Sequence, residues 1–168
     1  MSVSKVMNAS DKRLAELVLR RMCVGGHIDG IRFGPVLQIL IAHTNHSNDE
    51  PIKGQVYLNL ASSWKVFDSR PSSFPNGEEE LPEISAEEEI REIIKLRERT
   101  IVDADLADHE PHLILTLDDG RIVFVNGKHE RYECWQMGVA FSGDVWQVVA
   151  CPGGDVAVWA PENFVLAG

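Results

Sequence analysis

Basic residues are scarce in this sequence, and no apolar run is long enough to cross a membrane. Sixteen Lys and Arg stand against 26 Asp and Glu, which gives a net charge of −10. Binding to nucleic acid or to an anionic lipid surface needs clustered positive charge. The composition therefore argues against both classes of partner, and a basic protein is the natural complement of such a chain.

Cysteine is also rare. The three thiols, Cys23, Cys134 and Cys151, form no Cys-x-x-Cys pair, and their number is odd. The first apolar segment carries several Lys and Arg, unlike the core of a secretory signal peptide. We therefore expect a cytoplasmic protein whose thiols are reduced and mostly buried.

The sequence lacks the motifs that usually mark a catalytic nucleophile or a phosphate-binding loop. It has no Gly-x-Ser-x-Gly elbow, and Gly153-Gly154 precedes a strand pattern instead of a helix. The sequence therefore favours a non-enzymatic protein, and we predict no catalytic residue and no cofactor.

Two histidine pairs are the nearest approach to a metal motif. The better pair is His109 and His112, and His43 with His46 has the same spacing. Titratable side chains near the better pair in the sequence are Asp105, Asp108 and His129. Zinc needs three or four converging ligands, and Pro111 excludes a regular helix that would align the two rings. We therefore predict no bound metal.

Residues 145–160 have the strongest strand pattern. Val145 to Cys151 is apolar apart from Gln147 and rich in β-branched residues, which is typical of a strand buried on both faces. Pro152-Gly153-Gly154 then favours a tight reversal. The sequence predicts a β-hairpin near the centre of a sheet, with Val156, Val158 and either Trp146 or Val148 in the core together with Trp135.

The preceding strand is predicted at Tyr132 to Met137, which places Glu133 on the same face as Trp135. A carboxylate on an apolar face must find a donor or water. Glu133 is therefore either a structural ion-pair partner or a site residue. In the second case Glu133, Trp135 and Trp64 would line a pocket together with loop histidines, as in a small-molecule-binding protein or a metal-dependent enzyme.

The remaining pattern divides the chain into four parts. A helix capped by Ser10 runs to about Val24 within residues 1–25. A first β meander spans residues 26–68, and a second spans residues 100–168. Strands are predicted at 28–33, 36–43, 55–60, 64–68, 101–106, 113–117 and 121–125. Ala61-Ser62-Ser63 is expected to turn a hairpin, as is Asp118-Asp119-Gly120, and this recurrence of strand, loop and hairpin suggests an internal duplication.

The middle part, residues 69–99, is acidic. Residues 69–84 carry several Pro and Gly, which predicts an exposed, mobile connection. A capping box from Ser85 to Glu88 then begins a second helix. This part is either a solvated linker or a docking surface for the basic partner. On a docking surface, the partner-binding residues would be Glu78, Glu79, Glu80, Glu83 and Glu87.

Two late motifs carry a resemblance. Tyr132-Glu133-Cys134-Trp135 followed by Pro152-Gly153-Gly154 and a closing Trp159 resembles an uncharacterised family of small bacterial domains. The resemblance implies a fold and transfers no catalytic role. Members of such families often look like immunity-type proteins encoded beside secreted toxins, so the resemblance implies a toxin as the basic partner.

The sequence as a whole predicts one α+β domain over residues 1–168. We expect a mainly antiparallel, strongly twisted sheet, either a split barrel or two small sheets, with one or two covering helices. The leading functional hypothesis is a non-enzymatic, acidic, immunity-type domain that binds a basic protein. The alternatives are the pocket-bearing enzyme or ligand carrier described above and a structural homo-oligomer such as a homodimer.

Overall fold

The computed structural model describes residues 7–43 and 52–167. These residues form three α-helices and ten strands in two antiparallel sheets, neither of which is closed. The predicted α+β class is confirmed, in its form with two sheets. The helices are α1 (Ala9–Cys23), α2 (Ala86–Ile94) and α3 (Glu162–Ala167), and a short 3-10 helix spans Glu78–Glu80.

The strands divide between a large sheet, built from the first three and the last three, and a small sheet, built from the four between them. They are β1 (Gly26–Arg32), β2 (Leu37–His43), β3 (Gln55–Leu60), β4 (Trp64–Phe67), β5 (Ile101–Leu106), β6 (Leu113–Leu117), β7 (Ile122–Val125), β8 (Trp135–Ala140), β9 (Gln147–Cys151) and β10 (Asp155–Trp159). The large sheet has the order β1-β2-β3-β8-β9-β10, and the small sheet has the order β4-β7-β6-β5. Leu19 of α1, Leu58 of the large sheet and Leu115 of the small sheet belong to one buried cluster, so both sheets and α1 share a core.

The predicted hairpin between β3 and β4 is wrong. β3 pairs with β2 and β8 in the large sheet, whereas β4 pairs with β7 in the small sheet. Ala61-Ser62-Ser63 is therefore a corner that takes the chain from one sheet to the other. The amide of Ala61 donates to the carbonyl of Cys134 at 3.0 Å, and the amide of Asn126 donates to the carbonyl of Ser63 at 2.9 Å. These long-range bonds fix the corner in place of a hairpin ladder.

The small sheet takes one strand, β4, from the first half of the chain, and the large sheet takes β8, β9 and β10 from the second half. α1 precedes β1–β4 and α2 precedes β5–β8, and in both of these units the fourth strand crosses to the other sheet. The units meet in a reciprocal way: the Gly25 amide donates to the Ile101 carbonyl, and the Glu98 amide donates to the Ile28 carbonyl, both at 2.8 Å. Gly25 and Glu98 both have positive φ, 88° and 67°. The two units of one helix and four strands therefore have the same order of elements and are joined by equivalent contacts, and β9, β10 and α3 extend the second unit.

Two local predictions need correction. β9 and β10 do form the hairpin across Pro152-Gly153-Gly154, but β10 is an edge strand, so the hairpin is not central. The cap of α1 is Asn8 instead of Ser10, because the Asn8 side chain accepts from the Asp11 amide at 2.8 Å. At α2 the predicted cap is formed, with the Glu88 amide donating to the Ser85 hydroxyl at 3.2 Å.

Candidate functional site

The sequence predicts that the connection before α2 is exposed and mobile; most of its residues are exposed, but Phe74 and Leu81 pack it on the outer face of the small sheet. Phe74 stacks on Phe124 with ring centroids 5.6 Å apart, and Leu81 is buried in the same cluster as Ile114. The outer face of this sheet is apolar, and burying it is favourable. The chain between β4 and α2 supplies the cover.

This cover presents a set of glutamates on packed backbone. Between Arg70 and Arg91 the sequence has seven glutamates and no Lys or Arg. We call residues 78–89 the acidic segment. Its exposed carboxylates are Glu79, Glu80, Glu83, Glu87 and Glu88. Because the backbone beneath them is anchored, these charges are held at fixed places on the surface.

The five predicted partner-binding glutamates differ in their contacts. Glu78 is half-buried, and its carboxylate accepts a hydrogen bond from the Tyr132 hydroxyl at 3.2 Å. Glu87 forms an ion pair with Arg91 at 2.6 Å. The carboxylate of Glu80 accepts from the backbone amide of Asn76. Glu79 and Glu83 are exposed and are the members of the set best placed to meet a partner.

A groove of about 400 Å³ lies between β4 and α2, beside the acidic segment. Its apolar lining comes from Trp64, Val66, Pro82 and Ile84, and its charged lining comes from Lys65, Glu88, Arg91, Glu92 and Lys95. β4 is an edge strand of the small sheet. An apolar floor inside a charged rim is the usual anatomy of a protein-binding surface.

The predicted pocket around Glu133, Trp135 and Trp64 does not form. β8 begins at Trp135, so Glu133 precedes the strand and is exposed, and it does not share a face with the tryptophan. Trp135 is only 1% exposed, and its indole N–H donates to the carbonyl of Pro111 at 2.8 Å. Trp64 opens β4, is 3% exposed and lines the groove between β4 and α2, apart from Glu133 and Trp135. The prediction that Trp135, Trp146 or Val148, Val156 and Val158 share one core is confirmed: Trp135, Trp146, Val148 and Val156 are buried in it, and Val158 is partly buried and packs against it.

His112 has a structural role. It is buried, its Nε2 lies 3.0 Å from the carbonyl of Asn76, and its Nδ1 accepts from the amide of Gly127 at 2.9 Å. Both ring nitrogens are therefore occupied, and burial lowers the pKa of the imidazole. The neutral ring joins the cover of the small sheet to the loop after β7. Within residues 7–43 and 52–167 no group of three His, Cys, Asp or Glu side chains could hold a metal ion.

The other residues near this histidine are also engaged or exposed. His109 is exposed. Asp105 pairs with Arg20, and His129 stacks on the Tyr132 ring with centroids 3.5 Å apart. The ring of His43 bonds to the carbonyl of Met22, and His46 lies outside the described residues. Asp108 lies 4.0 Å from the ammonium of Lys12. These side chains point to separate partners.

Burial also sets the state of two thiols. It raises the pKa of Cys23 to about 12 and the pKa of Cys134 to about 11. Both groups are therefore protonated thiols at neutral pH, and thiols in this state are poor nucleophiles. They act as small core residues.

The sequence analysis did not single out the outer face of the large sheet. The strand register places two cross-strand rows on it. They are Arg32, Gln38, Asn59, Gln136, Val149 and Ala157, and Gly30, Leu40, Tyr57, Gly138, Gln147 and Trp159. We call these two rows the amide face. Their neighbours in the strands, such as Ile39, Leu58 and Val148, point into the core.

The amide face carries almost no charge. Arg32, at the sheet edge, is the only charged residue in the two rows. Most of the other side chains are half-exposed, and Trp159 is 47% exposed. Gln38 donates to Asn59 at 2.7 Å, and Gln136 donates to the Tyr57 hydroxyl at 2.9 Å. The alternation of Gln, Asn and Tyr with core residues in these strands could have predicted a polar outer face. The net charge of the whole chain could not show that this face lacks charged residues.

Comparison of the chain with protein-family models, with curated proteins and with solved structures gives no match. No helix in the described ranges is both long enough and apolar enough to span a membrane.

Proposed function

We propose that this protein is a non-enzymatic binding domain that meets a basic protein through the acidic segment and the adjoining groove. The observation that carries the proposal is the anchoring of the seven-glutamate stretch by Phe74 and Leu81. A solvated linker needs no such anchoring. A docking surface binds more tightly because of it, since a backbone that is already ordered loses less conformational entropy when the partner binds.

The proposed interface has two parts with different physical roles. Exposed carboxylates such as Glu79 and Glu83 attract a basic partner over a distance and so raise the rate of encounter. The apolar groove between β4 and α2 then accepts side chains of the partner, and their burial slows dissociation. In the immunity-type form of this function the partner is a toxin, and the bound domain covers its basic surface inside the cytoplasm. Reduced, buried thiols such as Cys23 suit that compartment.

A pair of matched triple variants tests this proposal. The first replaces Glu79, Glu83 and Glu88 with Gln. Gln at the third residue of the helix keeps the capping box, so α2 should remain intact. The control makes the same change in net charge at exposed acids outside the acidic segment, with Asp29→Asn, Asp144→Asn and Glu162→Gln.

The wild-type protein is first used to capture partners from cells of the source organism at low salt, and bound proteins are eluted with high salt. The association rate of the purified partner is then measured for both variants at several salt concentrations. We expect the first variant to associate roughly 10-fold more slowly at low salt and to approach wild type as screening increases. Equal rates for the two variants, or captured proteins that are not basic, would contradict the proposal.

A further inference from the structure

We propose that the amide face is the interface of a homodimer, in which the large sheets of two copies pack face to face. This inference is independent of the acidic segment, which lies on the cover of the small sheet. The outer face of the small sheet is closed by residues of its own chain, including Phe74 and Leu81. The amide face is the corresponding surface of the large sheet, and its side chains remain half-exposed.

The distribution of charge favours a second copy as the occupant. Each chain has a net charge of −10, so two copies repel each other in most orientations. The two rows contain no carboxylate, and Asp155, on the same side of the edge strand β10 as Ala157, lies just beyond them, so a contact centred on the rows keeps the carboxylates of the two copies at its margin. Interface cores are depleted in charged residues in the same way.

The chemistry of the face is also self-complementary. The amide groups of Gln136, Gln147 and Asn59 each donate and accept hydrogen bonds, so the same group on a second copy can satisfy them. A charged surface instead needs a partner of opposite sign. Tyr57 and Trp159 supply the aromatic rings that commonly anchor interfaces.

The two rows supply the centre of a dimer interface. Six strands about 4.8 Å apart give a width of about 29 Å, and two rows about 7 Å apart cover about 14 Å along the strands. The projected area is then about 400 Å², and protruding side chains and the residues beside the rows add to the accessible area. A standard interface buries about 800 Å² on each partner. Aligned packing of two such sheets would resemble a β-sandwich.

Sedimentation equilibrium of the full chain tests the dimer over about 1 µM to 500 µM protein. Two substitutions place opposite charges in the middle of the face, Gln136→Lys and Gln136→Glu. Each should weaken dimerisation at least ~30-fold, because an unpaired charge must be desolvated at the interface. Gln136→Lys is the more informative change: it lowers the net negative charge, so it would strengthen any dimer limited only by overall repulsion.

Matched controls carry the same charges at Ser73, which is exposed on the cover of the small sheet. Ser73→Lys and Ser73→Glu should dimerise like wild type. Circular dichroism must show that each variant is folded. If Gln136→Lys does not fold, Gln147→Lys on the same face is measured in its place. Added salt should tighten the dimer by screening repulsion between the chains, whereas it should slow the association with a basic partner. The two proposals can therefore fail separately.

A wild-type protein that stays monomeric at about 500 µM would overturn the inference and leave the face to a different occupant, such as another protein. The inference would also be overturned if the Gln136→Lys and Gln147→Lys variants both fold and both still dimerise, because the dimer contact must then lie on another surface. A dimer that weakens with added salt would be held together by charged residues, which would contradict an interface made by the amide face.

Discussion

Replacing Trp135 tests the place where the two halves of the chain cross. The side chain is 1% exposed at the start of β8, and its indole N–H donates to the carbonyl of Pro111 at 2.8 Å. That carbonyl lies between β5 and β6, so the bond joins the large sheet to a loop of the small one. The substitution Trp135→Ala removes the ring and the donor, whereas Trp135→Phe removes the donor and only part of the ring.

The expected cost follows from these two contributions. Truncating a buried Trp to Ala usually costs ~3–5 kcal/mol. Leaving a buried carbonyl without a donor costs ~1–3 kcal/mol, and the two terms overlap because water can enter the larger cavity. We expect a loss of about 4–5 kcal/mol for Trp135→Ala and about 2 kcal/mol for Trp135→Phe. Since domains of this kind are stable by only ~5–15 kcal/mol, the Phe variant is the safer one to measure.

Urea unfolding followed by far-ultraviolet circular dichroism measures both variants without relying on tryptophan fluorescence. Phe33→Ala is the matched control, because this aromatic side chain is 69% exposed, and its removal should change the free energy of unfolding by less than ~0.5 kcal/mol. A Trp135→Phe protein as stable as the control would refute both the burial of the ring and the importance of the indole bond.

Three further outcomes follow from the same region and from α2. Because burial lowers the pKa of His112, the unfolded chain takes up a proton at higher pH than the native protein does, so native stability should fall as the pH drops below about 6.5. His112→Gln should show a shallower decline between about pH 6.5 and 5 in urea unfolding. Gly127→Ala should fail to reach the native fold, since an added Cβ would lie 1.9 Å from the Pro111 carbonyl oxygen, and its circular dichroism would show this. Ser85→Ala should cost ~1 kcal/mol in thermal unfolding by removing the acceptor of the Glu88 amide, and Ser85→Asp, which keeps an acceptor, should restore most of it.

Several elements could be predicted from the sequence because they depend on neighbouring residues. The alternation in β3 (Gln55–Leu60) and the apolar run of β6 (Leu113–Leu117) mark the bounds of these strands, and the bounds agree with the structure. The Pro152-Gly153-Gly154 turn favours a reversal by its own backbone preferences, and β9 and β10 pair across it. The Ser85 cap likewise depends only on the residues that follow it.

Other features depend on residues far away in the sequence. Ala61-Ser62-Ser63 has the composition of a turn, yet β3 and β4 separate because each finds its partner in a distant strand. Glu133 was placed on a strand face by alternation, but the ladder with β3 begins only at Trp135. Local pattern cannot distinguish a hairpin from a corner, since both use the same turn chemistry.

The candidate sites divide in the same way. The sequence by itself determined the net charge of −10 and the run of glutamates, because charge is a property of composition. Only the tertiary structure decided that Phe74 and Leu81 anchor those glutamates on a sheet, that His112 is enclosed with both nitrogens bonded, and that the uncharged residues of six strands form one face. The physical reason is that burial and strand register depend on which surfaces meet, and this is set by the packing of the whole chain.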